Sequence, residues 1–305
     1  MSTVAMATTA TEFRAGATDL SERRRSGISR GAVIDLAPSP DTTGIVWDAD
    51  GAASLGAFVS IAAIATDPRV ARAYPGLAAA AAGLATPQVR HAATLGGNLA
   101  QRSRCWYYRN PHFTCFKRGG STCPSRDGNH LYGVAFDLGP CVAPHPSTLA
   151  AALLAYDATV TTDRRTLSIS DLLGDGTSGR TDHTLEAGEI IQRVQLPPPV
   201  SGERAFYKRA IARSYAEWPL AEVVVRVVIE KGAFQVVRVA AGGVAPIPLR
   251  LSDVERSLAG GAASAAAIAE AAENAANGAR PLPMTGYKLD LLKGLVRDLL
   301  MQSVG

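Results

Sequence analysis

The pattern of apolar and polar positions changes character along the chain. Up to about residue 100, short apolar runs alternate with alanine-rich stretches. Ala32-Val33-Ile34-Asp35-Leu36 reads as a strand halted by Pro38 and Pro40, and Ser60–Ala65 and Leu77–Gly83 read as helices, the second following Pro75. Ala78–Ala82 carry so little side-chain bulk that this helix must pack closely or lie beneath a neighbour. Between Gln101 and Pro144 the periodicity disappears, and Gly119-Gly120, Pro124, Asp127-Gly128 and Gly139-Pro140 punctuate a loop organised around something other than an apolar core. Pro146–Tyr156 resumes as a helix with Ser147 or Thr148 as its N-cap and Leu149, Leu153 and Leu154 as its buried stripe. Ala158–Thr162 and Arg165–Ile169 then form a hairpin around Asp163.

A second unit begins after Pro197-Pro198-Pro199, dividing the chain into residues 1–199 and 200–305. Ala205–Lys208, Ala221–Ile229 and Gln235–Ala240 read as strands, the last two joined at Lys231-Gly232. Leu251–Leu258 and Ala262–Ala276 are helical by period, and Leu289–Met301 closes the chain as a wide amphipathic helix. Residues 1–11 are expected to fray or to lie on a partner.

Composition narrows the possibilities. A net charge of +4 with no basic tract beyond Arg23-Arg24-Arg25 gives no footprint for nucleic acid. No window is long and apolar enough to span a membrane, and the first residues lack the basic segment of a secretory signal. Charged residues at 19% are slightly sparse, which suits a surface partly covered by other chains. No G-x-S-x-G, H-E-x-x-H or similar catalytic constellation is present, as expected where cofactors carry the chemistry.

All four cysteines, Cys105, Cys115, Cys123 and Cys141, fall in the aperiodic loop. They are 9, 7 and 17 residues apart, without the close C-x2-4-C pairs of zinc knuckles. Wide spacing suits an iron–sulfur cluster reached from several directions, with zinc, disulfides and free thiols as the alternatives. Trp106, Tyr107, Tyr108 and Phe113 would shield such a cluster or fill the loop's own core; His112, His130 and His145 read as structural neighbours. Just ahead, Thr94-Leu95-Gly96-Gly97-Asn98 is a glycine turn that permits positive φ and exposes amides, either a diphosphate cradle or simply a turn. Ala15-Gly16-Ala17-Thr18-Asp19-Leu20 is a second turn of this kind.

Together these segments resemble the FAD-binding subunits of the molybdenum hydroxylases, the xanthine dehydrogenase family. Residues 15–20 are similar to that family's first FAD loop and residues 86–100 to its second; Ala241–Arg250 and Tyr287-Lys288-Leu289 resemble its C-terminal signatures. The cysteine loop resembles that of the [4Fe-4S]-bearing FAD subunits of bacterial periplasmic aldehyde oxidoreductases. The resemblance implies an α+β fold: an FAD-binding domain of the vanillyl-alcohol-oxidase/PCMH-like type in two α/β subdomains, then a smaller domain with a three-stranded antiparallel sheet and helices. It implies FAD on Ala15, Gly16, Ala17, Thr18, Asp19, Leu20, Thr94, Gly96, Gly97, Asn98, Ser147 and Lys208, and a [4Fe-4S] cluster on the four cysteines.

By the same resemblance the partners are a large subunit with molybdenum on molybdopterin cytosine dinucleotide and a small subunit with two [2Fe-2S] clusters. Electrons from an aldehyde, or from a purine or other N-heterocycle, would pass through FAD to an external acceptor; the alternative from another class is a non-redox structural subunit with bound zinc. The compartment would be the cytoplasm, or the periplasm by export with a signal-bearing partner. The chain departs from the family pattern at Ala17, where glycine is usual, at Thr148, where aspartate is common, and in a first loop that comes early, at residue 15.

Overall fold

The computed structural model describes residues 10–305. The expectation made for residues 1–11 falls almost wholly outside that range. Two short strands, β1 (Glu12–Arg14) and β2 (Val33–Asp35), pair in parallel across the helix Leu20–Arg25. A five-stranded antiparallel sheet follows, built from β3 (Ile45–Trp47), β4 (Ala53–Gly56), β5 (Thr159–Thr162), β6 (Thr166–Ser168) and β7 (Ile191–Leu196) in the order β3-β4-β7-β5-β6. The hairpin around Asp163 is β5–β6. The other three strands are too short, or too mixed in polarity, to stand out in the sequence, and only pairing over long separations such as β4 with β7 makes them strands.

Helices Ile61–Thr66, Pro75–Gly83 and Thr148–Ala155 pack on this sheet. Ser147 caps the last of them by accepting from the Ala150 amide at 3.0 Å. That helix is buried on every side, not along one stripe as its leucine spacing implies. Its small residues let neighbours close in, and the alanine-rich helix Pro75–Gly83 does the same. A Cβ on Gly76 would stand 3.2 Å from both Tyr156 Oη and Val224 Cγ1.

The C-terminal part forms a second antiparallel sheet from β8 (Arg204–Ala210), β9 (Ala221–Glu230), β10 (Ala233–Gly242) and β11 (Leu249–Arg250), in the order β11-β10-β9-β8. The two-residue β11 is a fourth strand where three are expected. Lys231 and Gly232 turn β9 into β10 with both φ values positive, 50° and 75°, matching the twist of the strands they join. Val223, Val225 and Val227 face the closing helix Tyr287–Val304 through Leu292, Leu295, Val296 and Leu299. Val224 points the other way, into the core of the first sheet and its helices.

β9 is therefore buried on both faces, and the junction between the two sheets is itself core. A buried ion pair ties it. Arg226 meets Glu203 at 2.6 Å, with both side chains 6% exposed, donates to the Ala155 carbonyl at 2.6 Å and lies over the Tyr156 ring. The architecture is α+β: an N-terminal part with a short parallel strand pair and a five-stranded antiparallel sheet under helices, then a C-terminal α+β part with a four-stranded antiparallel sheet.

Candidate functional site

A crevice runs where the first small-residue loop, the second glycine loop, the cysteine loop and the segment before β9 converge. It has two chambers, of about 320 and 340 Å³, that share Arg104, Pro146, Glu217, Trp218 and Pro219. Arg104 and Trp218 mark the boundary, the guanidinium lying 4.5 Å over the indole centroid.

The first chamber is lined by Thr18, Asp19, Gly97 and Asn98 from the expected loops, and also by Thr86, Thr148 and Arg209. The loop from Ala15 to Asp19 is held open by contact and by an unusual backbone. At Gly16 the chain passes so close to the Ala92 carbonyl that any Cβ would overlap it. Ala17 adopts φ +59°, a left-handed conformation that favours glycine. Among the described residues, the amides of Gly16, Ala17, Thr18 and Asp19 have no intrachain acceptor. They are available donors.

The second loop works differently from its expected part as an amide cradle. Leu95 N donates to Val59 O at 2.9 Å, Gly96 N to Ala57 O at 2.9 Å, Asn98 N to Thr94 O at 2.9 Å and Gly97 N to the Thr94 hydroxyl at 3.2 Å. These residues form the short helix Leu95–Leu99 capped by Thr94, and neither glycine has a positive φ. Glycine is needed for contact instead, since a Cβ on Gly96 would stand 2.9 Å from Ala57 Cβ. Asn98 accepts the Ser147 hydroxyl at 2.6 Å. Ser147 is thus a buried cap that positions Asn98, whereas its neighbour Thr148 lines the chamber.

Of the residues expected to hold FAD, Ala15, Gly16, Ala17, Leu20, Thr94, Gly96, Ser147 and Lys208 do not line the chamber. Leu20 is buried beneath the first loop. Lys208 pairs with Asp298 of the closing helix at 2.7 Å, outside both chambers. Successive residues of a strand face opposite sides, so Arg209 reaches the crevice in its place.

Asp19 serves as a hub more than as a free contact. Its carboxylate meets Arg109 at 2.7 Å, Arg23 and Arg104 at 2.9 Å and the Arg102 amide at 3.2 Å. Burial pushes its pKa up, but Arg104, Arg109 and Arg23 outweigh burial and hold the carboxyl below its ordinary range. The first loop and the cysteine loop are locked together at this point.

Within the cysteine loop, Cys105, Cys115 and Cys123 each stand immediately before a short helical turn: Trp106–Arg109, Phe116–Arg118 and Pro124–Asp127. The turns aim amides back at sulfur. Cys105 accepts from Tyr108 and Tyr107, Cys115 from Lys117 and Arg118, and Cys141 from Ala143. No disulfide forms, and all four side chains line one narrow pocket. Burial pushes the thiols of Cys105 and Cys115 up and that of Cys141 to about 11. Among the described residues no three His, Cys, Asp or Glu side chains are placed to share a single metal ion. The space between the thiols is about 10 Å³, roughly one water.

The donor set is therefore right for a thiolate-bound group, with sulfurs already hydrogen-bonded, but no mononuclear centre or ready-made cluster cavity is present. Trp106 does not shield the pocket, being 60% exposed and stacked edge-on with Tyr132 at 5.1 Å; Tyr108 is the buried aromatic. His130 bonds the Ser125 and Gly128 carbonyls and accepts from the Met284 amide, a structural role. The second chamber shares Cys105, Tyr107 and Ala143 with the thiol pocket.

The sequence also gave no sign of Glu222. Fully buried, it accepts the Tyr207 hydroxyl at 2.9 Å and bonds Thr148, and burial pushes its pKa up to about 7. Gly242 lies opposite it in the sheet, where a Cβ would overlap the Glu222 carboxyl.

Fold and crevice are those of a flavin-binding chain of the molybdopterin-dependent oxidoreductases. Residues 2–199 match the family described as the FAD binding domain in molybdopterin dehydrogenase, and residues 205–303 match the CO dehydrogenase flavoprotein C-terminal domain. The chain belongs to that family and is the FAD-binding component of a molybdenum-dependent oxidoreductase. It is 36% identical over 225 residues to the aldehyde oxidoreductase FAD-binding subunit PaoB of Escherichia coli (strain K12), covering 71% of this chain and 69% of that protein. Quinoline 2-oxidoreductase from Pseudomonas putida 86 shares the fold with a TM-score of 0.73 at 21% identity, over 96% of this chain and 88% of that one. Carbon monoxide dehydrogenase from Hydrogenophaga pseudoflava shares it with a TM-score of 0.73 at 22% identity, over 95% and 88%.

Proposed function

We propose that this chain is the electron-transfer subunit of a heterotrimeric molybdenum hydroxylase. Its FAD lies with the diphosphate against the first loop, and Cys105, Cys115, Cys123 and Cys141 carry a [4Fe-4S] cluster beside it. The observation that carries the reading is the adjacency of the two sites: four free thiols sharing one pocket, whose Cys105 wall is also a wall of the crevice. FAD supplies the ability to take electrons in ones or pairs. The chain's residues bind and orient it. The free amides of residues 16–19 and the Thr18 hydroxyl would hold the diphosphate, Asn98 is fixed by Ser147, and Arg209 would add positive charge.

For the cluster, the four thiols must ionise and move apart from the present 10 Å³ gap. The backbone amides on three of the sulfurs favour the thiolate, as does the Lys117 ammonium near Cys141. A structural zinc is less well supported, because no three ligands are placed for a single ion.

The partners in this reading are a molybdenum-cofactor subunit and a small iron–sulfur subunit, and the substrates of the assembly are aldehydes. The likeness to PaoB supports aldehydes. The second reading is the same role in an N-heterocycle hydroxylase, in keeping with the wider family. Purification from the native cell with partners retained, followed by flavin and iron analysis, tests the core of the proposal. One flavin and about four irons per chain, beyond those of the small subunit, are expected. A colourless chain holding zinc would refute it, and turnover with aldehydes against N-heterocycles separates the two substrate classes.

A further inference from the structure

The second chamber contains none of the residues expected to hold FAD, yet it is the larger of the two and opens beside Cys105. Its walls are aromatic. Trp106 and Tyr132 stand edge to face on one side, and Trp218 stands at the boundary with the first chamber.

Two of its polar groups are buried donors, while the Glu217 carboxylate stands at the boundary with the first chamber. Lys288, 1% exposed, has no carboxylate partner and gives two of its three N–H bonds to the Gly243 carbonyl at 2.7 Å and the Tyr132 carbonyl at 3.3 Å. Burial lowers its pKa to about 7. His145, 4% exposed, accepts the Ser147 amide on Nδ1 at 3.3 Å, which places its proton on Nε2, and that nitrogen is buried without a hydrogen-bond partner. A buried donor without an acceptor is costly, and here the unpartnered His145 Nε2–H lies beside an aromatic slot, with Lys288 using two of its three N–H groups on carbonyls.

We propose that this chamber binds a quinone, a flat aromatic acceptor whose carbonyl oxygens receive the Lys288 and His145 donors while its ring lies among Trp106, Tyr132 and Trp218. Phosphate-bearing ligands fit less well, because the free amides belong to the other chamber. The inference rests on the proposed function in one respect: it names the class of the external acceptor. The quinone takes two electrons and two protons from reduced flavin across the Trp218 boundary and leaves as the quinol, the flavin returns to its oxidised form, and no bond to the protein is made.

The test is titration of the purified holo-complex with a water-soluble methoxy-substituted benzoquinone, followed by tryptophan fluorescence. Flavin per chain is measured in parallel. Saturable quenching is expected in the unsubstituted protein, with a Kd raised about tenfold by Lys288→Met, the loss of one charge-assisted hydrogen bond, and flavin content unchanged. Trp106→Ala changes an exposed side chain, so it keeps the test open should Lys288→Met fail to fold; it too should raise the Kd. Unsaturable quenching, or a Kd indifferent to both substitutions, overturns the proposal. So does loss of flavin from folded Lys288→Met protein, which would assign the chamber to FAD itself. Because binding is read on the chamber directly, a flavin-free complex would overturn the proposed function while leaving saturable quinone binding intact.

Discussion

Gly16→Ala and Ala17→Gly, substitutions at neighbouring positions, should act with opposite sign. At Gly16 the new methyl group would overlap the Ala92 carbonyl, and neither backbone can yield easily. Ala92 ends the helix Pro87–Ala92, and Ala93 is tied to Ile61 by a hydrogen bond of 3.0 Å. Overpacking of this kind costs about 2–3 kcal/mol. At Ala17 the methyl group is already present at φ +59°, where an L side chain costs about 1 kcal/mol. Glycine removes that cost but loosens the unfolded chain by about 0.5 kcal/mol, so the net gain is about 0.5 kcal/mol. For a domain of this size the first change lowers Tm by roughly 5–10 °C and the second raises it by about 1–2 °C. Thermal melts of apo-protein and of protein with excess FAD separate folding from binding. Gly16→Ala should also lose flavin, because the four free amides would shift. Equal destabilisation by both changes, or full flavin retention in Gly16→Ala, would refute the reasoning.

Cys115→Ser should remove the tetranuclear iron while most of the flavin stays, measured by iron and flavin analysis of soluble protein; unchanged iron would remove Cys115 from the ligand set. Gly97→Val should expel FAD by filling the first chamber and crowding the Thr94 cap, a Cβ there standing 3.0 Å from Thr94 Oγ1, and flavin content of the folded variant decides it. Arg226→Met leaves Glu203 buried and unpaired between the sheets and should cost about 3–5 kcal/mol, read as a lowered denaturation midpoint. Glu222 has a folded pKa of about 7, above its ordinary 4.5, so the native state holds a proton the unfolded chain has released. Its contribution therefore makes stability fall as pH rises from about 4.5 to 7 and stay flat above. Glu222→Gln should flatten that slope in melts across the window.

Elements whose signals are local were legible along the chain. Pro38 and Pro40 stop one strand, Lys231-Gly232 turns another, Ser147 caps its helix, and the aperiodic stretch from Gln101 to Pro144 is a loop around its thiols. Motif order was also legible, because each glycine or small-residue turn is a short continuous segment. What depends on neighbours far along the chain became visible only on folding. The Gly96-Gly97 pair looks like an open amide cradle until Ala57 and Val59 are brought beside it and consume its donors. Ala17 is visible in the sequence as a departure from glycine, but its φ of +59° is a property of the folded loop. Lys208 and Arg209 are adjacent cations in the sequence, and only the facing of β8 sends one to Asp298 and the other to the crevice. Lys288 and Glu222 carry no motif at all. Their chemistry comes from burial, which is a property of packed surfaces and has no counterpart along the chain.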